Sequence, residues 1–96
     1  MTLQQLDQSD RDVIRAVAAN HGVSNVRVFG SVTRGDAGEH SDLDLLVDLD
    51  PGRSLMDLGG LLMDLRAQLK IPVDVVTERM LRRGIRERVL ADAIPL

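Results

Sequence analysis

Cysteine, tryptophan and tyrosine are absent from this chain, and Phe29 is its whole aromatic complement. Without cysteine there is no disulfide framework, no thiolate nucleophile and no zinc-finger spacing. Two isolated histidines, His21 and His40, cannot build a histidine metal cluster. Any metal site must therefore use carboxylates, whose hard oxygens suit magnesium or manganese. A single aromatic gives no stacking platform for successive bases, and a net charge of −3 has the wrong sign for a phosphate backbone, so nucleic acid ranks last among partners. No apolar run approaches the ~20 residues that cross a bilayer, and the opening MTLQQLDQSD lacks the basic-then-apolar pattern of a signal peptide. The expected compartment is the cytoplasm, with no membrane partner.

What is present is enough for one small domain, residues 1–96. A chain of this length buries only roughly 60 to 65% of its unfolded surface, so stability is modest and a homo- or hetero-oligomeric partner can supply part of it. Charge is unevenly spread. Nine acids and three bases lie between Asp36 and Asp74, whereas five arginines and one acid lie between Arg79 and Arg88. The middle is suited to cations, and the C-terminal segment to an anion or an acidic partner.

Ser9 with Asp12 reads as a capping box for a helix from about Asp10 to Asn20, ended by Gly22. Val26 to Phe29 reads as a strand broken by Gly30-Ser31. Val32 to Arg34 can begin a short helix, and Gly35 to Ser41 has the composition of a loop. From Asp42 to Leu49 the chain alternates: Leu43, Leu45, Val47 and Leu49 fall on one face, Asp42, Asp44, Leu46 and Asp48 on the other. Ser54 with Asp57 caps a leucine-periodic helix reaching about Leu69, whose Gly59-Gly60 pair is costly unless another backbone packs there. A third strand spans Val73 to Val76, and Thr77 can cap a final helix from Glu78 to about Ala93 with Leu81, Ile85, Val89 and Ala93 as its apolar stripe. The expected fold is α/β (α+β), a small mixed sheet of about three strands packed with helices.

Asp42 and Asp44, at i and i+2 on a strand, project from one face and can share an ion. Alone, that tripeptide fits two solvated acids on the exposed face of a half-buried strand better than a metal site. Asp74 adds weight, because it interrupts an apolar run where burying a bare carboxylate is costly. If the second and third strands are neighbours, the three acids converge, and a divalent cation offsets their repulsion. Gly30-Ser31 would supply the complementary half, since a strand entering a tight glycine turn aims backbone amides at an anion, although a lone Gly-Ser is equally a simple turn. Arg34 can reach a phosphate or pair with Asp36 or Glu39. Asp48 and Asp50 read as solvated, and His21 and His40 as exposed loop residues.

FGSVTRGDAGEHSDLDLLV followed by PVDVV resembles the minimal nucleotidyltransferases of the DNA polymerase β superfamily, whose pattern is Gly-Ser, an Arg-Gly, Ser-Asp-x-Asp and a third acid on a later strand. The likeness covers Val26 to Val76. It implies a polymerase β-like core in which Asp42 and Asp44 bind two magnesium ions. Asp74 would bind the metal at the attacking group and help to deprotonate that group. Gly30, Ser31 and Arg34 would hold the triphosphate tail of ATP. Such enzymes transfer a nucleoside monophosphate, commonly AMP, to a hydroxyl. The short members are typically antitoxins that adenylylate a tyrosine of a HEPN-domain ribonuclease toxin. Two alternatives stand beside this reading: an antitoxin that neutralises by binding alone, and a transferase for a small molecule, which the lack of an extra acceptor-holding domain disfavours.

Overall fold

The computed structural model describes residues 6–30, 43–69 and 71–96. Their elements are α1 (Gln8–Asn20), β1 (Val23–Phe29), β2 (Leu43–Leu49), α2 (Leu55–Leu69), β3 (Val73–Val76), a 3-10 turn (Glu78–Met80), α3 (Arg83–Asp92) and β4 (Ile94–Pro95). The sheet order is β3-β2-β1-β4, with β2 parallel to β3 and antiparallel to β1, and β1 antiparallel to β4. This is the expected mixed α/β arrangement with one strand more than the sequence suggested. The expected short helix at 32–34 and loop at 35–41 lie outside the described residues.

The alternation along β2 decides which way the sheet faces. Leu43, Leu45 and Val47 are fully buried, and they join Val28, Val73 and Val75 in a core covered by Ile14, Val17 and Ala18 of α1 and Leu58, Leu61 and Leu65 of α2. Both helices thus lie on one face of the sheet, opposite the acids. Leu46, on the acid face, is also fully buried yet stands outside that cluster, as does Val89 of α3. The acid face is therefore partly covered as well.

Several boundaries moved for identifiable reasons. Asp7, not Ser9, caps α1: its carboxylate accepts from the Asp10 amide at 2.8 Å, a stronger acceptor than a hydroxyl against the helix dipole. Strand β1 begins three residues early, at Val23, because its register shifts between Ser24 and Arg27 around Asn25, which sits at φ 50°. Polar Ser24-Asn25 disguises that bulge as a turn. The final helix is split. In place of the amides of Arg82 and Ile85 that a continuous helix would use, the Glu78 carbonyl accepts from the Leu81 amide (3.1 Å) and Arg86 Nε (3.0 Å), and the Leu81 carbonyl accepts from Arg86 Nη2 (3.2 Å). Two residues, Ile94 and Pro95, then pair with Val28 and Arg27 at the sheet edge, where a proline costs no ladder bond. Leu96 O accepts from Arg15 Nη2 at 2.6 Å and from Arg11 Nη1 at 3.4 Å, tying this end to α1.

Gly60 packs against a side chain and not against the backbone that its cost had suggested. A Cβ there would lie 3.0 Å from Cε1 of His21, which sits at the C-terminal end of α1 and bonds Asp64 Oδ2 through Nε2 at 2.6 Å. His21 is thus a part-buried link between α1 and α2, with 24% of its side chain exposed, rather than the exposed loop residue expected. Among the described residues nothing packs against Gly59.

The capping box at α2 is formed. Ser54 N donates to Asp57 Oδ2 at 2.9 Å and Met56 N donates to Ser54 Oγ at 3.3 Å. The Ser54 amide, opposed in part by burial and aided by the Arg53 guanidinium, holds the Asp57 carboxyl below its ordinary 3.8. Ser54→Ala is expected to cost about 1 kcal/mol in urea unfolding at neutral pH. A depressed folded-state pKa stabilises above the unfolded value and is lost as pH falls through the folded one. Asp57→Asn should therefore be less stable than the unsubstituted chain near pH 6, and the gap should close as pH falls below 3.8.

Candidate active site

Strands β2 and β3 lie side by side in register, with Leu43 opposite Val73 and Asp44 opposite Asp74. Adjacent strands are about 4.8 Å apart, and residues paired across a ladder point to the same face. The condition for convergence is thus met for two of the three acids. Asp42, Ser31 and Arg34 lie outside the described residues. Among the described residues no third metal-ligating side chain joins Asp44 and Asp74.

The two carboxylates differ in setting. Asp44 is half-buried, whereas Asp74 is exposed. Asp74 is therefore not the costly buried carboxylate that its apolar neighbours suggest: it faces out on the edge strand, between the buried Val73 and Val75. Its Oδ1 accepts from the Val75 amide at 3.0 Å, which orients the carboxyl group.

Gly30 closes the other side of Asp44. Phe29 is the Cα partner of Asp44 across the β1–β2 ladder, so the turn after Phe29 stands against that carboxylate. Gly30 has φ +83°, and a Cβ there would lie 2.6 Å from Asp44 Oδ2. Both the left-handed backbone and the close approach require glycine. From β3 through β2 to β1, the order across this face is Asp74, Asp44, then Phe29 and Gly30.

Beyond Gly30 opens a cleft of about 590 Å³, lined by Phe29 and Gly30 together with Ile85, Arg88, Val89, Ala91 and Asp92. Sequence reasoning placed Ile85 and Val89 in an apolar stripe and missed that α3 walls the site. The signal was there: 85, 88, 89 and 92 follow the i, i+3, i+4, i+7 spacing of one helix face. Asp48 and Asp50, read as solvated, are partly exposed and also brace the sheet. Asp48 accepts from Asn25 Nδ2 at 2.8 Å and Arg27 Nη2 at 3.0 Å, and Asp50 accepts from Ser24 Oγ at 2.8 Å.

The model of the nucleotidyltransferase domain matches residues 10–96. The chain belongs to the nucleotidyltransferase domain family. It is 34% identical over 94 residues to the protein adenylyltransferase MntA of Thermococcus cleftensis, spanning 98% of this chain and 95% of that one. A solved structure described as a minimal nucleotidyltransferase aligns with TM-score 0.84 and 48% identity, covering 100% of this chain and 97% of its own. At the level of fold, a crystallised toxin–antitoxin with AMP-PNP aligns with TM-score 0.73 at 20% identity, over 88% of this chain and 69% of that one. This chain is thus an enzyme of the nucleotidyltransferase class, with the mixed α/β fold of a minimal nucleotidyltransferase.

Substituting Gly30 by alanine forces a left-handed alanine and pushes Asp44 aside. The expected cost is about 1–2 kcal/mol in urea unfolding. Manganese affinity, followed by electron paramagnetic resonance, is expected to fall together with stability. Unchanged manganese affinity would show that Asp44 tolerates the shift.

Proposed function

We propose that this nucleotidyltransferase is a magnesium-dependent protein adenylyltransferase that moves AMP from ATP to a hydroxyl, a tyrosine's, on a HEPN-type toxin partner in the cytoplasm, and so acts as an antitoxin. The observation that carries the reading is the in-register pair Asp44 and Asp74, with Gly30 held against Asp44. The likeness to MntA supports the protein acceptor, and the AMP-PNP of the fold neighbour supports the nucleotide.

Two carboxylates on adjacent strands repel unless a cation lies between them, and they present hard oxygen donors only, which fits magnesium. Asp44 and Asp74, with Asp42, would hold it, as two ions in this reading. When bound, the metal neutralises charge on the attacking and leaving oxygens. The chain's own residues do the rest. Gly30, Ser31 and Arg34 would hold the triphosphate. Asp74, exposed and oriented by the Val75 amide, faces the acceptor. The acceptor oxygen bonds to the α-phosphorus while the bond from that phosphorus to the β-bridging oxygen breaks. The hydroxyl proton passes to Asp74, and pyrophosphate leaves with the electron pair.

A second reading, neutralisation by binding alone, draws on exposed Leu55, Met56 and Met63 of α2, which are 67%, 87% and 73% exposed. Asp44→Asn and Asp74→Asn separate the two. Each is expected to lower AMP transfer to the co-expressed toxin, read as a mass shift of the toxin, by roughly a hundredfold or more with thermal unfolding little changed. Chelation by EDTA should do the same to the unsubstituted enzyme. Full protection of cells by the double variant would establish occlusion in place of catalysis.

A further inference from the structure

We propose that the outer face of α2 is a self-association surface, on which a second copy of this chain docks α2 against α2 about a two-fold axis at Gly59. The inference goes beyond the transfer reaction and does not depend on it. Leu58, Leu61 and Leu65 turn inward, yet the helix carries a second apolar face that the core does not use. Leu55, Gly59, Met63 and Ala67 recur every four residues along it, all exposed and none charged, with Met56 beside them. Leu55, Met56 and Met63 are 67%, 87% and 73% exposed. Large apolar side chains clustered in water mark an interaction surface, whereas single ones need no explanation.

Charge narrows the occupant. The ions that flank the row are engaged within the chain: Asp64 with His21 at 2.6 Å, Arg53 with Asp57 at 3.2 Å, and Arg66 with the Val73 carbonyl at 3.1 Å. An uncharged apolar helix therefore fits this face better than an ionic partner does. Gly59 says how close it comes. Glycine weakens a helix, and among the described residues a Cβ there would meet no atom within 4 Å, so nothing inside the chain requires it. A notch of that kind lets the backbone of a second helix approach, since the side chains at a crossing set the distance between axes.

The row is also self-complementary. Leu55 stands four residues before Gly59 and Met63 four after it, so a two-fold axis at Gly59 sets Leu55 of each copy against Met63 of the other. A second copy thus brings a matching ridge, an equal notch and no charge. Both α1 and α2 lie on the sheet face opposite the acids, so the pairing leaves Asp44 and Asp74 open in each copy. At 15 residues α2 is about 22 Å long, and one such pair covers less than the ~800 Å² per partner of a standard interface. The dimer is therefore weak, with a dissociation constant on the order of 10–100 µM.

The test is sedimentation of the full chain from about 5 to about 500 µM, with Leu55→Glu and Met63→Lys measured alone and mixed. The unsubstituted chain is expected to pass from monomer to dimer over that range. Each variant alone is expected to lose at least roughly tenfold in dimer affinity, because two charges enter an apolar contact. An equimolar mixture is expected to recover the dimer: the two-fold axis sets the introduced acid against the introduced base at one contact, while Leu55 meets Met63 at the other. Gly59→Leu favours the helix and has room in the monomer, so it is expected to raise the unfolding temperature of the dilute chain while weakening the dimer. A chain that stays monomeric at the highest concentration overturns the proposal. So does a dimer that all three variants leave intact, or a mixture that stays monomeric. Lost toxin binding in variants of an otherwise monomeric chain would assign the face to the toxin instead.

Discussion

Strand β2 must bury Leu43, Leu45 and Val47 against two helices while holding a carboxylate on its other face, and both requirements are met by a two-residue period. A slip of one residue would put Asp44 into the hydrocarbon core and the leucines into water. The same apolar burial that stabilises the domain therefore fixes the direction of the acid. Its neighbours add the rest: β3, parallel and in register, sets Asp74 beside Asp44, and β1, antiparallel, delivers Gly30 against it.

Placing two like charges on adjacent strands works against folding, and the chain limits that cost by exposure. Asp74 lies on the edge strand with water available, and Asp44 is half-buried. Elsewhere acids are matched by donors. Asp48 takes Asn25 and Arg27, Asp50 takes Ser24, and Asp57 takes its own helix start. Among the described residues, the acids of the middle of the chain thus brace neighbouring backbone and side chains, while Asp74 takes the Val75 amide.

Much of this was legible in the residues because periodicity reports burial. The alternation through β2, the leucine repeat of α2 and the short VDVV strand all appear where the pattern put them. Less legible were features that depend on distant contacts. Nothing local says that Asp7 will outcompete Ser9 as a cap, that Asn25 will open a bulge, or that Arg86 will take the carbonyls that would otherwise continue a helix. The two-residue β4 is too short to have a period at all. At the site, Asp44, Asp74 and Gly30 could be found by motif and spacing, but α3 could not, since Ile85 and Val89 fit an ordinary core stripe until the fold shows which face of the sheet they meet.

The C-terminal strand bears on how long the cleft persists. Helix α3 is joined through Ala93 to β4, which is held to β1 by the short pairing of Ile94 and Pro95 and by the bond from Leu96 N to Val26 O, and to α1 by the bonds from Arg15 and Arg11 to Leu96 O. Regions fastened by few bonds open more often than the core, at a free energy below that of global unfolding. Detachment of β4 frees one end of α3 without disturbing Asp44 or Asp74. Strand β4 thus ties the wall of the cleft to β1, whereas Asp44 and Asp74 are placed by the separate pairing of β2 with β3.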